Sequence, residues 1–427
     1  MITNYSYKID YDDISKCVLL YSGGLDTSVL LKWLGEKYGC EVITVTLDVG
    51  QSKDPNYFKK IKEKALMLGV KKAYIINAKK EFADNYVAKA IKANAMYEDS
   101  YPLSTAIARP LQAEWGVKIA IKEKADAIAH GCTGKGNDQV RFDGTIMTLA
   151  PFLKIIAPIR NRSMHRDDEI AYAKKHGIPV PVDVDSPYSV DENLWGRSIE
   201  CGILEDPEKE PPPDAFEWTV DPKNAPDTPE YMELSFEKGI PKALNGEEME
   251  LWELIMTLNE IAGKHGVGRV DHMEDRIVGL KSREIYEVPA ATVIIMAHKD
   301  LEKTVNTIHV NHMKPIIDKQ WSFMAYSGLW YDPLMSALNA FIDKVNEFVT
   351  GTVRMKLYKG SAIVVGRKSD YSLYDKALAT YERGQTFSQK SSPGLIDLWT
   401  LQTRMINQIQ KRKKKAVIAS KPSIMTE

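Results

Sequence analysis

The chain has 427 residues, of which 44% are hydrophobic and 27% are charged, and its net charge is −1. This length predicts two domains, or one large domain with a smaller partner. The balanced charge argues against nucleic acid as the main partner, and no apolar run is long enough to span a membrane. Four scattered cysteines without a C-x-x-C pair argue against disulfides, a zinc cluster or a redox pair. Together with the polar, acidic start at residues 1–13, they predict a cytoplasmic protein.

The most informative stretch is KCVLLYSGGLDTS, residues 16–28. The short apolar run that ends at Leu20 predicts a buried parallel strand, and residues 21–24 predict a turn with unusual backbone angles. Residues 26–28 then begin a helix. A strand, a glycine turn and a helix start together direct backbone N–H groups at one point, which predicts a phosphate or pyrophosphate site. The alternative is an ordinary tight turn followed by a helix cap.

Strand and helix signals alternate from residue 16 to about residue 160. Strands are predicted at 41–48, 73–76 and 127–130, and helices at 57–68, 81–95 and 107–124. This order predicts right-handed crossovers and a parallel sheet with helices on both faces. Since ligands bind at the carboxyl ends of such strands, the loop at Ser22, the backbone at Leu47 and the loop at Gly131 are expected to converge.

The second half of the chain no longer shows the alternation of strand and helix signals. A linker rich in proline and acid is predicted at 205–213, a loop at 221–229 and a long helix at 249–265. A hairpin is predicted to pair 353–356 with 363–367 across a Lys-Gly turn. Near the end, a helix carries an apolar stripe with one polar break and finishes in the basic run 411–415; the stripe is formed by Leu395, Leu398, Trp399, Gln402, Met405, Ile406 and Ile409.

A second candidate site is the loop HGCTGKGNDQVR, residues 130–141, which follows a predicted strand. Its glycines allow a ligand to approach the backbone. Arg141 could bind a carboxylate and Asp138 an ammonium group, with Thr133 and Asn137 beside them, so the loop could hold a zwitterionic amino acid. The alternative is a flexible surface turn, because a second G-x-x-G-x-G at 263–268 shows how easily that pattern arises.

The first motif resembles the SGGxDS signature of the N-type ATP pyrophosphatases, which split ATP into AMP and pyrophosphate. Both motifs together resemble the argininosuccinate synthase family of ATP-dependent ligases, which form a carbon–nitrogen bond. The resemblance continues in YPLSTAIARP (101–110), PYSVDENL (187–194), AGKHGVGRVD (262–271) and KSREIYEVPA (281–290). It implies an ATP-binding α/β domain over 1–180, an α+β synthetase domain over 181–385 and a C-terminal oligomerisation helix with a basic tail over 386–427.

The resemblance also implies the ligands of particular residues. ATP would contact Leu20, Tyr21, Ser22, Gly23, Gly24, Leu25, Asp26, Thr27, Ser28, Leu47 and Gly131. Aspartate would contact Thr133, Asn137 and Asp138. Citrulline would contact Tyr101, Asn137, Arg141, Ser189, Ser198, Glu274 and Tyr286. Without the resemblance, Tyr286 would be interpreted as a cross-strand or core tyrosine and Glu274 as a solvated ion-pair partner.

The reaction implied is the condensation of citrulline with aspartate in arginine biosynthesis, through a citrullyl-adenylate. Ser22, Asp26 and Arg141 are expected to act on it most directly, Asp26 by binding Mg²⁺ or by ordering the loop; its alternative role is that of an acid favoured in a first helical turn. The family also implies a homotetramer. Three positions depart from its usual pattern and could change the citrulline pocket: Ala106, Asp275 and Glu284.

Two other classes of protein share the first motif. A tRNA-modifying relative would need a basic RNA-binding face, and an amidotransferase-coupled relative would need a glutaminase nucleophile; the balanced charge and the scattered cysteines count against both. A catalytically silent nucleotide-binding homologue stays an alternative that an assay would have to exclude.

Overall fold

The computed structural model describes residues 13–162, 166–179, 188–380 and 388–419. The chain forms two compact units, one that ends at Leu373 and one that begins at Tyr374. The domain boundaries predicted at residues 180 and 385 lie outside the described residues and stay predictions.

The first sheet is parallel and has five strands, which confirms the predicted fold class. Val18 on the first strand pairs with Ile43 on one side and Ile128 on the other, and all three are fully buried. The first strand is therefore central, and the loop that follows it lies at the middle of the carboxyl edge. The strands are β1 (Lys16–Leu20), β2 (Glu41–Asp48), β3 (Lys72–Asn77), β4 (Ala127–Ala129) and β5 (Lys154–Ile156), in the order β3-β2-β1-β4-β5.

Helices alternate with these strands along the chain. They are α1 (Leu25–Tyr38), α2 (Tyr57–Met67), α3 (Lys79–Phe82), α4 (Ala88–Lys92), α5 (Ser104–Glu123), α6 (Asp138–Leu149), α7 (Pro158–Arg162) and α8 (Arg166–Lys175). The helix predicted over 81–95 is present over residues 79–92, and a π turn at Ala83–Val87 divides it into α3 and α4. The wider turn buries Tyr86 and Val87 beside Phe82, which a regular α-helical period does not indicate.

Two antiparallel sheets make up most of the second half. One has the order β11-β12-β7-β6 and the other the order β10-β9-β8-β13-β14. Their strands are β6 (Ser189–Asn193), β7 (Gly196–Glu200), β8 (Glu230–Glu237), β9 (Ile240–Leu244), β10 (Glu247–Glu248), β11 (Arg269–Asp275), β12 (Lys281–Glu287), β13 (Gly351–Tyr358) and β14 (Ser361–Lys368). The helices among them are α9 (Leu251–Lys264), α10 (Pro289–Val305), α11 (Ile308–Tyr326) and α12 (Pro333–Val345).

The predicted hairpin is confirmed. Val353 pairs with Arg367 and Lys356 with Ile363 across β13 and β14. The two turn residues, Lys359 and Gly360, have φ of 44° and 82°, the left-handed conformation that a two-residue hairpin turn requires.

The β6–β7 hairpin fastens one antiparallel sheet to the parallel sheet's helices. Asn193 Nδ2 donates to Ser104 O at 2.9 Å, and Trp195 Nε1 donates to Pro102 O at 2.8 Å. Gly196 allows the close approach, since a Cβ there would lie 2.6 Å from Val288 Cγ1 and 3.0 Å from Ser104 Cβ. Strand β6 is thereby held beside the start of α5, where the quoted motif 101–110 lies.

The unit that begins at Tyr374 contains α13 (Lys376–Ala379), α14 (Ser392–Trp399) and α15 (Leu401–Ala419). The apolar stripe predicted on one helix is divided between α14 and α15, because α14 ends at Trp399 and Thr400 separates the two helices. Its apolar side chains are all exposed in the single chain, with Trp399 at 83%. Within the described residues, no helix combines the length and the apolar character needed to cross a membrane.

Candidate active site

The loop between β1 and α1 has the geometry of an anion site. Gly24 is the N-cap of α1, in an extended conformation, and no side chain caps the helix. Backbone N–H groups of the first turn are therefore available to a ligand, and the positive end of the helix dipole points toward it. Residues 26–28 lie within the helix and do not cap it, while a phosphate-binding role for them stays a prediction.

The loop is held in this shape by its neighbours. Gly23 has φ of +83°, and Lys64 Nζ donates to its carbonyl oxygen at 2.8 Å. Thr46 Oγ1 donates to Tyr21 O at 2.7 Å, which ties the turn to β2. The Ser22 and Thr27 hydroxyl oxygens lie 3.0 Å apart. The hydroxyl groups of Ser22 and Thr27 and the backbone amides of the loop therefore lie close together, where a ligand can reach them.

Asp26 lies in the first turn of α1 and is half-buried. Its carboxylate has no hydrogen-bond or ion-pair partner in the described part of the chain. The same residues contain no group of three or more histidine, cysteine or acidic side chains that could hold a metal by themselves. A lone carboxylate beside a phosphate site fits Mg²⁺, which binds through one or two carboxylates plus the phosphates of its substrate.

Two further strand ends were expected to meet this loop. Gly131 follows β4, and a Cβ built there would lie 3.5 Å from Thr27 Cγ2, so the two loops are in contact. Leu47 is the penultimate residue of the neighbouring strand β2, and its carbonyl oxygen accepts a hydrogen bond from Gln51 Nε2 at 2.7 Å. The parallel sheet thus brings these three candidate ATP elements to one edge.

A second group of side chains surrounds the start of α6. Asp138 accepts from Arg141 NH1 at 2.9 Å and from Arg109 Nε at 2.9 Å. Burial opposes the ionisation of Asp138, yet the two guanidinium groups hold its pKa below the ordinary value. Arg109 NH2 also donates to Asp191 on β6, whose pKa is raised by burial. Asp138 is therefore a half-buried carboxylate whose charged form is favoured by its two arginine partners, and it is able to attract an ammonium group.

One nitrogen of the Arg141 guanidinium group, NH2, has no hydrogen-bond partner in the described residues, and we call this side of the group its free edge. Its Nε donates to Tyr326 O at 3.0 Å and its NH1 to Asp138, while the buried NH2 has no hydrogen-bond partner. The Arg141 side chain is 5% exposed, so this unused donor faces the interior of the protein. A buried guanidinium edge without a partner is costly, and a ligand carboxylate would satisfy it.

Aromatic residues and Glu274 form the opposite wall. Tyr286 Oη donates to Glu274 Oε2 at 2.6 Å, and Tyr326 Oη donates to Glu274 Oε1. Asn137 Nδ2 donates to Tyr326 Oη at 2.7 Å, and the ring of Tyr101 stacks on that of Tyr286 at 4.2 Å. Burial opposes ionisation of Glu274, but these hydrogen bonds and His272 lower its pKa. Glu274 is only 3% exposed, so the alternative of a solvated ion-pair partner is wrong.

The remaining candidates lie around this group. Ser198 on β7 pairs with Tyr286 on one side and with Asp191 on the other. Ser189 begins β6, the edge strand, and is exposed. Thr133 is exposed in the loop before α6, and it makes no hydrogen bond to Asp138 in the described residues. The structure therefore gathers Tyr101, Asn137, Asp138, Arg141, Glu274 and Tyr286 tightly, and Ser189, Ser198 and Thr133 less directly.

The three departures from the family pattern have local partners. The carboxylate of Glu284 accepts from Arg276 NH2 at 2.7 Å, and that of Asp275 accepts from Lys281 Nζ. The added negative charges are thus paired with cations. Ala106 is fully buried, and its N–H donates to Tyr101 Oη at 3.3 Å. Ala106 therefore supports the pocket through its backbone.

Sequence reasoning missed several residues of this site. Arg109 and Asp191 lie inside the quoted segments 101–110 and 187–194, so those motifs could have indicated them. Tyr326 is fully buried at the end of α11, and its ring stacks on that of Tyr97 with the ring centroids 3.5 Å apart. No local pattern marks either tyrosine, because their position depends on packing between distant parts of the chain.

The parallel sheet and the glycine loop, which leaves the start of α1 without a side-chain cap, are typical of phosphate-binding α/β proteins. Residues 16–179 match the family model described as "Arginosuccinate synthase N-terminal HUP domain", and residues 188–406 match "Arginosuccinate synthase C-terminal domain". The argininosuccinate synthase of Pyrococcus furiosus is 60% identical over 91% of this chain and 93% of its own length. That of Dehalococcoides mccartyi is 57% identical over 92% and 97%, and that of Listeria monocytogenes is 53% identical over 96% and 99%.

The chain therefore belongs to the argininosuccinate synthase family, and it is a ligase that forms a carbon–nitrogen bond. The family and the enzyme class predicted from the two glycine-rich motifs are confirmed.

Proposed function

We propose that the protein condenses L-citrulline with L-aspartate to argininosuccinate, with cleavage of ATP to AMP and pyrophosphate, as a step of arginine biosynthesis. The observation that carries the proposal is the pairing of two unlike sites. An open helix N-terminus suited to phosphate lies at one edge of the sheet, and the loop at Gly131 leads from it to a buried set of charges suited to amino acids.

ATP is proposed to bind along residues 20–28, with further contacts from the backbone at Leu47 and Gly131. Ser22, the glycine amides and the helix end stabilise the departing pyrophosphate. Asp26 would hold Mg²⁺ together with the phosphates of ATP, and the bound ion would neutralise part of the phosphate charge. The unpartnered carboxylate of Asp26 supports this assignment.

The two amino acids are proposed to bind at the start of α6. Asp138 attracts the ammonium group of aspartate, and Thr133 and Asn137 orient its carboxylates. Arg141 offers its free NH2 edge to the carboxylate of citrulline. The rest of citrulline lies against Tyr101, Asn137, Ser189, Ser198, Glu274 and Tyr286, where the carboxylate of Glu274 is suited to the citrulline ammonium group.

The chemistry proceeds in two substitutions. The ureido oxygen of citrulline attacks the α-phosphorus of ATP, an O–P bond forms, and pyrophosphate leaves. The ammonium group of aspartate loses one proton to water, and the free amine attacks the ureido carbon of the citrullyl-adenylate. A C–N bond forms, the C–O bond to AMP breaks, and the new C–N nitrogen loses a second proton to water. The contribution of the protein is orientation and charge stabilisation, as in phosphoryl transfer generally.

Three further features belong to this proposal. The protein acts as a homotetramer, whose contacts include the exposed apolar side chains of α14 and α15. The domains divide at residues 180 and 385. The protein works in the cytoplasm, in keeping with four cysteines that are all unpaired.

The test is a pyrophosphate-release assay with ATP, citrulline and aspartate, together with three mixtures that each omit one substrate. Many turnovers, with AMP, pyrophosphate and argininosuccinate in equal amounts, are expected only in the complete mixture. The mixture without aspartate should release at most one pyrophosphate per active site, because the adenylate forms before aspartate reacts. No nucleotide turnover in the complete mixture would indicate a silent nucleotide-binding homologue. AMP formation that requires tRNA in place of citrulline would indicate the RNA-modifying class.

A further inference from the structure

We propose that Arg109 is a positioning residue that locks together the parts of the protein that bind the two amino acids. It does so by bridging Asp138 at the start of α6 to Asp191 on β6. This inference rests on the proposed function, because it takes Asp138 as the aspartate site and the strand of Ser189 as part of the citrulline site.

The bridge is made by one side chain with most of its donors engaged. Arg109 Nε and NH2 lie 2.9 Å and 2.8 Å from Asp138 Oδ2, and NH2 also donates to Asp191 Oδ2. Its NH1 donates to Gln112 Oε1 at 3.0 Å, which fixes the guanidinium plane from one turn further along α5. The Arg109 side chain is 14% exposed, and its Cζ atom lies 5.6 Å from the ring centroid of Phe142 on α6. The planar fork of arginine suits this arrangement, and the single ammonium of lysine does not.

The two carboxylates depend on Arg109 to different extents. Asp138 keeps a second cation, Arg141, whereas no other cationic side chain contacts Asp191 among the residues described by the structure. Asp191 is the middle residue of β6, the edge strand that also carries Ser189. Asn193 and Trp195 fasten one end of the β6–β7 hairpin to the start of α5, and Arg109 adds a charged contact at the middle of β6. Loss of the bridge would therefore loosen the end of β6 that carries Ser189.

The bridge also keeps Asp138 charged. Burial opposes its ionisation, and the guanidinium groups of Arg109 and Arg141 outweigh burial and lower its pKa. Other titratable groups that act on Asp138 are negative or neutral, namely Asp191, Glu200 and Cys132. Without Arg109, the pKa of Asp138 should rise. Burial and the neighbouring carboxylates raise this pKa, and Arg141 would be the one remaining arginine that lowers it.

Steady-state kinetics of Arg109→Lys and Asp191→Asn test the bridge. In Arg109→Lys the KM values of aspartate and citrulline should each rise about tenfold or more, the scale of a lost charge-assisted hydrogen bond, while the KM of ATP stays within about twofold. In Asp191→Asn only the KM of citrulline should rise, because Arg109 still holds Asp138. The matched control is Arg367→Lys, which alters a two-bond pair with Asp300 on another sheet and should change none of the three.

The proposal is overturned if Arg109→Lys leaves both amino-acid KM values unchanged, or if it raises the KM of ATP equally. A second measurement needs no substrate: a ¹³C-carboxyl NMR titration of the unliganded protein, with Asp138→Asn to assign the signal. The pKa of Asp138 should rise in Arg109→Gln, and an unchanged titration would overturn the proposal. If the wild type shows no turnover, the proposed function fails, while this titration still decides on the bridge.

Discussion

Most charged side chains around the start of α6 have a specific partner. Glu274 accepts from two tyrosines, Asp138 from two arginines and Glu284 from Arg276. Arg141 departs from this rule, because its buried NH2 group has no hydrogen-bond partner in the described residues. Because an unpaired buried charge destabilises a protein, this group indicates where a ligand completes the structure. Asp26 on α1 is half-buried and also has no partner among the described residues.

Asp26→Asn should lower the rate of AMP formation by about 100-fold or more, the scale of a lost transition-state charge contact. The fold should survive, because Asp26 packs no core and an acid in a first helical turn contributes only about 0.3–1 kcal/mol. AMP production and the Tm of the variant are measured together. Wild-type turnover in a well-folded Asp26→Asn protein would show that Asp26 is only a favourable helix-start residue.

Arg141→Ala should raise the KM of citrulline about 10- to 100-fold, since a hydrogen bond to a charged group contributes about 1.5–3 kcal/mol. The KM of ATP should change much less, and Arg141→Lys should lie between the two proteins because it keeps the charge and loses the fork. Initial rates with each substrate varied in turn give the three KM values. Equal increases for all three would mean instead that Arg141 braces the loop.

At the residue scale, the sequence suggests a role for a side chain that lies next to a glycine-rich motif, and these roles stay predictions. Ser22, Asp26, Asp138 and Arg141 belong to this group, and the motif itself gives the reason for their chemistry. Sequence reasoning missed Tyr326, which lies 185 residues beyond Arg141 and reaches it only through the packing of α11. No pattern of period 3.6 distinguishes a tyrosine in the core from one that orients Asn137 and Glu274.

At the scale of elements, the β1–α1 loop depends on one glycine. Gly23 combines φ of +83° with a close neighbour, because an added Cβ would lie 2.8 Å from Ile61 Cγ1 on α2. The left-handed conformation costs a non-glycine residue about 1–2 kcal/mol. The close contact with Ile61 would in addition push the loop out of its position.

Gly23→Ala should therefore abolish AMP formation, because the loop amides move away from the phosphate position. Gly69→Ala is the matched control: its φ is +100°, and nothing lies within 4 Å of the added Cβ. Both variants should lose some thermal stability, but Gly69→Ala should keep full activity. Comparison of Tm with AMP formation for the pair separates strain from loop geometry, and an active Gly23→Ala enzyme would refute the close-contact argument.

Elements were predictable where local chemistry decides them. The Lys359-Gly360 turn and the alternating strands of the parallel sheet follow from turn propensity and hydrophobic period. The π turn at Ala83–Val87 and the break at Thr400 were missed, because both are local departures from a helical pattern that continues on each side.

At the scale of the whole molecule, the C-terminal unit carries a row of exposed apolar side chains. The side chains of Leu395, Leu398 and Trp399 are 64%, 74% and 83% exposed, and the apolar stripe continues along α15. Apolar side chains in such a row are commonly covered by another protein surface. The homotetramer proposed above would supply that surface.

Deletion of the residues after Ser392 should therefore lower the mass of the protein in solution below that of a tetramer. Light scattering coupled to size exclusion measures it directly. The control is a deletion after Ala419, which keeps α14 and α15 and should leave the mass per assembly nearly unchanged. A tetramer that persists without residues 393–427 would assign the contact to another surface.

The central claim is that citrulline is activated by attack on the α-phosphorus of ATP, and ¹⁸O in its ureido group tests this most directly. The loop at Ser22 is shaped to hold a departing pyrophosphate, so the labelled oxygen should leave with AMP. Mass spectrometry of the products is expected to place one ¹⁸O in AMP and none in pyrophosphate. Label in inorganic phosphate, with ADP as the nucleotide product, would contradict the mechanism.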